Sequence, residues 1–259
     1  MIIQLIFHDN GSLYLTDEPS ALTDLLSEGL FAIPVLDGAH APEEFPHTDH
    51  AVTNVRELLE TLPADGGNVY LEGRDFIPES LRRIYLRLAG LPVDILETGR
   101  LLIRETTVGD VDAFYELYRN PLITRYMEDL YEDPDEERLY TENYIRNIYG
   151  FYGFGIWTVI EKASGKIIGR AGLNVREGYD EPELGFMIGV PYQGKGYAKE
   201  ALRSILAFAK EEYDFPFVNA FVRPGNEASL HLLYELGFRD SGETELDGIQ
   251  HRILKYDFG

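Results

Sequence analysis

The sequence predicts a mixed α/β protein made of two consecutive units: a small, mostly parallel one over residues 1–97 and a larger one over 98–259. Three observations predict it. Apolar runs of strand length alternate with helix-period segments along the whole chain. A stop signal, Gly90 followed by Pro92, breaks that alternation within "AGLPVDILETGRLLIRE". The two sides also differ in makeup. Residues 1–97 hold 5 Lys+Arg, every one Arg, against 17 Asp+Glu, and they carry four of the six histidines.

In the first unit "IIQLIF" and "LYL" read as short strands. "TDEPSALTDLLSEG" reads as a helix, with Thr16 or Asp17 as N-cap, Pro19 in the first turn and Gly29 just past the end. Leu22, Leu25 and Leu26 form its apolar stripe. "FAIPVL" follows as a buried strand, "TNVRELLETL" as a helix, "NVYLE" as a strand and "PESLRRIYLRLAG" as a helix. His40, His47, Asp49 and His50 lie in a loop rich in proline and acid. Their spacing matches no metal motif, so the expectation is a solvated loop and no metal site.

The second unit opens with the strand "LLIRE" and the capping-box pattern Thr107 to Asp110. Val111, Phe114, Tyr115 and Tyr118 make the face of the helix that follows, and "PDEERLYTENYIRNIY" is a second helix. "GIWTVIEK" and "IIGRAGLNV" are strands joined through "ASGK" as a hairpin. "PELGFMIGV", "FVNAFV" and "IQHRILKYDF" are further strands. "NEASLHLLYELG" is a helix, and so is 196–212, where Ala198, Ala201, Leu202, Ile205, Leu206 and Ala209 recur at i, i+3, i+4 and i+7.

Composition narrows the chemistry. With no cysteine there are no disulfides and no thiolate zinc sites, which fits a cytoplasmic setting. "MIIQLIF" is too short for a signal peptide and lacks its basic flank. No apolar run approaches the roughly 18 residues of a membrane span. A net charge of −22 repels nucleic acid and anionic membrane and draws cations inward.

"GVPYQGKG", Gly189 to Gly196, looks like a phosphate cradle one residue short of a nucleotide-binding loop. Gly196 stands where a magnesium-binding hydroxyl belongs. What survives is an anion cradle without metal: Gly194 and Gly196 let the backbone approach a pyrophosphate, and the helix dipole favours its charge. Lys195 adds a charge contact or faces solvent.

From Gln193 through Gly194, Lys195, Gly196 and Tyr197 to Ala198 the chain matches the glycine fingerprint of the GNAT family of N-acetyltransferases. A second motif follows, from Asn226 through Ser229 to Gly237 and Phe238. Together they make residues 98–258 resemble that family, in particular its ribosomal-protein N-acetyltransferase branch. The resemblance implies a mostly antiparallel sheet with a splayed central strand pair, acetyl-CoA as co-substrate and no metal. It further implies that backbone groups near Ile188 and Val190 bind the pantetheine amides and residues 194–198 the pyrophosphate. By motif position Asn226 and Ser229 contact the coenzyme arm, and either can also cap the next helix.

The implied reaction is direct attack of an amine on the thioester, so a base must take the amine's proton. Glu183, at the start of the splayed strand, is the candidate. Ser229, Tyr234 or water would protonate the departing thiolate. The position where many family members carry a tyrosine is Leu233, and Tyr234 is turned about 100° from it around the helix. The acceptor would be a protein N-terminus, a polyamine or another small cationic amine, approaching past the acids and tyrosines of "ITRYMEDLYEDPDEERLYTENY". A non-catalytic acyl-CoA sensing module is the alternative, and self-association through residues 1–97 is a further expectation.

Overall fold

The computed structural model describes residues 2–7, 11–36, 39–48, 50–52, 69–72 and 79–259. The chain divides into two compact units, 1–93 and 94–259.

The first unit carries a four-stranded sheet in the order β3-β2-β1-β4, formed by Ala32–Pro34, Ser12–Thr16, Ile2–Ile6 and Val69–Glu72. β1 pairs antiparallel with β2, whereas β1–β4 and β2–β3 are parallel. Helix α1, Pro19–Ser27, buries Leu22 and Leu25 against Ala32 and Phe45, with Leu26 packed alongside. Its N-cap is Glu18, not Thr16 or Asp17, and Glu18 makes no side-chain cap bond. Thr16 closes β2 instead, and its Oγ1 accepts from the Glu18 amide at 3.2 Å. Gly29 ends α1 at φ +75°, as a left-handed cap requires. α2 spans Glu79–Leu88. The helix expected at 53–62 lies outside the described residues.

The second unit is one eight-stranded sheet. Its strands are β5 Asp94–Glu97, β6 Leu101–Arg104, β7 Ile156–Glu161, β8 Lys166–Asn174, β9 Glu183–Ile188, β10 Phe217–Val222, β11 Arg239–Leu246 and β12 Ile249–Asp257. They run in the order β11-β12-β10-β9-β8-β7-β6-β5, and every adjacency except β9–β10 is antiparallel. Two strands were not expected, β5 and β11. β5 places Asp94–Glu97 in the second sheet, and β11 is exposed along nearly its whole length.

β9 and β10 touch at one register pair, Glu183 with Asn219, and diverge from there. Asn219 stitches the apex. Its amide donates to Pro182 O at 2.8 Å and its Nδ2 to Glu181 O at 3.3 Å. This is the splayed pair, and it leaves a gap inside the sheet.

Helix α3, Val111–Tyr118, covers one face of the sheet through Val111, Phe114 and Tyr118. Tyr115 instead donates its hydroxyl to Tyr131 O. Asp110 sets the entry. It accepts from the Thr107 amide at 2.9 Å, from Thr158 Oγ1 at 2.9 Å and from both Nη atoms of Arg104 at 2.7 Å. Burial alone would raise the Asp110 pKa. The Arg104 pair, the Thr107 amide and the Thr158 hydroxyl outweigh it, leaving the carboxyl below its usual range. A carboxyl lowered on folding adds stability that is full above its unfolded pKa and is lost as pH falls through the folded one. Asp110→Ala, which strands the half-buried Arg104, should therefore cost about 3 kcal/mol at neutral pH. The wild-type advantage should shrink in acid, and melting curves of the two proteins from pH 7 downward check both statements.

α4, Pro134–Tyr144, runs into a π-helical turn, Ile145–Tyr149. Two tyrosines tie this stretch to one residue of β7: Tyr144 Oη accepts from the Ile156 amide at 2.8 Å and Tyr149 Oη donates to Ile156 O at 2.5 Å. Burial pushes the Tyr144 phenol up to about 12, so both remain neutral donors and acceptors. Gly155 makes room, since a Cβ there would sit 2.4 Å from the Tyr149 ring. α5, Tyr197–Glu212, buries Tyr197, Ala201, Leu202, Ile205, Leu206 and Ala209. The expected stripe holds except at Ala198, where Tyr197 takes the buried place. α6 spans Glu227–Leu236 and ends at Gly237, φ +103°.

Candidate active site

The gap between β9 and β10 opens into a cavity of about 1210 Å³, lined wholly by the second unit. Its lining brings together Glu183, Gly194, Gly196, Asn226 and Ser229, positions far apart in the chain.

One end is the turn between β9 and α5. Gly194 and Gly196 have φ +71° and +80°, conformations that glycine adopts without a Cβ penalty. The amides of Gly194, Lys195 and Gly196 donate to no protein acceptor, and those of Tyr197 and Ala198 open α5, whose first-turn N–H groups have no partner within the helix. Four of these five residues, Gly194, Gly196, Tyr197 and Ala198, line the cavity, so backbone donors and a helix N-terminus are presented there, an arrangement that suits an anion. Lys195 does not line it. Its side chain is exposed, and its ammonium lies 5.6 Å from the Tyr192 ring centroid. Gln193 works inward, donating from Nε2 to Ile188 O at 2.8 Å. The Val190 carbonyl likewise accepts the Gln193 amide. The carbonyls of Ile188 and Val190, in the backbone expected to face the pantetheine, are thus engaged within the turn, and of these two residues Ile188 lines the cavity whereas Val190 does not.

Sequence reasoning missed the residue that braces this turn. Arg100 donates from Nη1 to Lys195 O at 2.9 Å and from Nε to Glu200 Oε2 at 2.6 Å, and its guanidinium lies 4.4 Å from the Tyr197 ring centroid. Tyr197 in turn donates its hydroxyl to Glu161. Burial opposes ionisation of Glu200, but the Thr98 and Arg100 hydrogen bonds outweigh it and hold the carboxyl below its usual range. No local signal marks Arg100, because its partners lie about a hundred residues away.

At the apex of the gap stands Glu183, largely buried, with Oε2 accepting from Arg176 Nε at 2.5 Å. Ser229 and Asn226 sit across on α6 and its cap. The Asn226 Oδ1 accepts the Ser229 amide at 3.3 Å, so the capping role is present, while both residues still line the cavity. Tyr234 does not. Its hydroxyl donates to Asp240 Oδ2 at 2.9 Å and accepts from Arg252 Nη1 at 3.2 Å, directing the ring toward the β11–β12 hairpin. The one-residue offset around the helix has the consequence that helical geometry requires. His251 is a second residue the sequence did not single out. It is buried on β12, lines the cavity, and its Nδ1 lies 2.8 Å from Ile249 O, which fixes that nitrogen as the donor.

The far wall carries Tyr118 from α3 together with Glu128, Asp129, Tyr131, Glu137 and Tyr140, the last five from the stretch expected to flank the acceptor. Elsewhere, among the described residues, no cluster of His, Asp and Glu could hold a metal ion, and no helix is long and apolar enough to cross a membrane. His40 faces Glu44 at 3.3 Å and Glu18 at 3.6 Å, and Asp49 lies outside the described residues.

Comparison with known proteins gives consistent results. The family profile described as "Acetyltransferase (GNAT) domain" matches residues 100–239. An uncharacterised N-acetyltransferase, p20, of Bacillus licheniformis is 24% identical over 156 residues, covering 58% of this chain and 85% of that protein. The crystal structure of an acetyltransferase from Agrobacterium tumefaciens superposes with a TM-score of 0.54 at 25% identity, over 62% of this chain and 92% of that one. The ribosomal-protein-S5-alanine acetyltransferase of Vibrio fischeri has the same fold at 19% identity, with a TM-score of 0.54 over 62% and 95% of the two chains.

Proposed function

Since the chain belongs to the GNAT family and is an acetyltransferase, we propose that it moves the acetyl group of acetyl-CoA to a primary amine by direct attack. The acceptor class is a protein N-terminus, a polyamine or another small cationic amine. The observation that carries this reading is the gap between β9 and β10, with a glycine cradle of free amides at one end and a buried carboxylate at its apex.

The residues present fit the coenzyme. Gly194 to Ala198 would hold its pyrophosphate on backbone amides. Arg100, which spans the turn carbonyl and the first turn of α5, keeps those amides converged. Bound there, acetyl-CoA would supply a thioester whose carbonyl carbon an amine can attack. The chain's own part is to present the amine unprotonated. Glu183 accepts its proton directly or through one water as the C–N bond forms. As the C–S bond breaks, a proton must reach the sulfur, and of the expected donors Ser229 and water remain in reach of the cavity. Glu128, Asp129 and Glu137 would draw a cationic acceptor inward.

A metal-free anion cradle predicts that calorimetry on the full-length protein detects acetyl-CoA binding with the same affinity in EDTA as without it. Loss of binding in EDTA would overturn the metal-free cradle. Absence of binding under both conditions would overturn the reading itself. Mass spectrometry of products from an amine panel with labelled acetyl-CoA then tests transfer.

A further inference from the structure

Three arginines of this sheet and its loops have carboxylate partners. Arg100 has Glu200, Arg104 has Asp110 and Arg176 has Glu183. Arg170 departs from that pattern. It stands in the middle of β8, beside Met187 of β9 and Thr158 of β7. Among the described residues it makes no ion pair, and its Nε is buried with no acceptor. Its guanidinium lies 4.6 Å from the Phe114 ring centroid, and its charge and a hydrogen bond to the Tyr118 phenol oppose the rise that burial imposes on that phenol. Arg170 also lines the cavity.

A partly desolvated cation without a counter-ion carries a cost, and stacking on an aromatic face offsets only part of it. The chain as a whole carries −22, so acidic side chains are abundant, yet none is paired here. Glu137, on the wall of the same cavity, spends one oxygen on the Tyr131 amide. Arg170 is thus a cation held ready beside a cavity, with its fork of donors incompletely used.

Its position relative to Glu183 follows from strand register. Glu183, Gly185 and Met187 share one face of β9, and Arg170 lies directly opposite Met187, so it projects from the same face as Glu183. Four residues separate the two sites along the strand, about 13 Å at about 3.3 Å per residue, and the intervening Gly185 puts no side chain between them. A carboxylate marks one end of this face and an unpaired guanidinium the other.

We infer that the acceptor is an amine that also carries an oxyanion, a carboxylate or a phosphate, and that Arg170 binds that oxyanion while the amine is directed toward Glu183. A planar guanidinium suits either group, because two parallel N–H donors match two oxygens. This inference rests on the acetyl-transfer reading and narrows its substrate. A purely cationic acceptor such as a polyamine is disfavoured by the same charge.

The test compares matched acceptors on the full-length protein with coenzyme A or acetyl-CoA present. Alanyl-glutamyl-alaninamide is set against alanyl-glutaminyl-alaninamide, both without a C-terminal carboxylate, and phosphoethanolamine against ethanolamine, so that a peptide source and a small phosphorylated source are told apart. Wild type should favour at least one anionic member by about 10²-fold in KM or Kd, and Arg170→Gln should remove that preference. Arg170→Lys, which keeps charge but not the fork, should retain part of it. Acetyl-CoA affinity should hold in both variants. The inference is overturned if wild type treats both members of each pair alike, if Arg170→Gln weakens both members equally, or if it weakens acetyl-CoA instead. Acceptor binding is also read by calorimetry with coenzyme A, which needs no turnover. Arg170-dependent binding without acetyl transfer would keep this inference and sink the catalytic reading.

Discussion

Gly196→Val is expected to weaken acetyl-CoA binding by about 10²-fold or more in calorimetry while leaving the melting temperature close to wild type. Two effects act at this position. The residue sits at φ +80°, where a side chain is strained by about 1–2 kcal/mol and a β-branched one by more. A Cβ there would also lie 3.5 Å from Arg100 Nη2, an ordinary contact for a methyl group, so any crowding comes from the two further carbons of valine, against Arg100 or in the space the phosphates would take. A shift of the turn, or of Arg100 away from Lys195 and Glu200, would disturb the arrangement of the turn's amides. Gly196→Ala should keep the strain without the crowding and lose about 10-fold, since each 1.4 kcal/mol is tenfold. If valine binds within a factor of three of wild type, the glycine cradle is not the coenzyme's anchor.

Glu183→Gln is expected to lower kcat by about 10²-fold with the KM for acetyl-CoA nearly unchanged. Glutamine preserves volume and can still accept from Arg176 through its carbonyl oxygen, so the apex of the gap should stay packed and the loss should be chemical. Loss confined to kcat marks an interaction made mainly in the transition state. A different pattern, with acceptor KM rising and kcat near wild type, would make Glu183 a positioning group. His251 would then be the next residue to replace, because it lines the same cavity and its Nδ1 is already committed to Ile249 O.

The parts of this site that were legible in the sequence are those governed by short-range rules. Gly194 and Gly196 announce a tight turn before an amphipathic helix. Asn226 and Gly237 punctuate α6 at its two ends, and Thr107 to Asp110 marks the entry to α3. Each signal depends on residues within one or two turns of each other. The unreadable parts depend on the partners that the fold supplies. β5 has four residues and β11 reads "RDSGETEL", with no apolar alternation, and both become strands because a neighbouring strand offers a ladder. Arg100, Arg170 and His251 look like ordinary polar residues until the sheet brings them to the turn or the cavity. Tyr234 shows the opposite limit. It is a plausible residue type one position from the expected site, and a rotation of about 100° sends it to Asp240.

β11 has a consequence beyond pairing with β12. The outer edge of an eight-residue strand at the end of a sheet, opposite the edge that pairs with β12, would ordinarily template the addition of another chain. Here the register slips between Asp240 and Gly242, which distorts the ladder, and Asp240, Glu243 and Glu245 place negative charge along the exposed margin. A second copy approaching this margin meets like charge on a chain already at −22. Charge and a distorted ladder thus oppose edge-to-edge pairing at this end, and the charged sequence that hid the strand from view is what supplies that opposition.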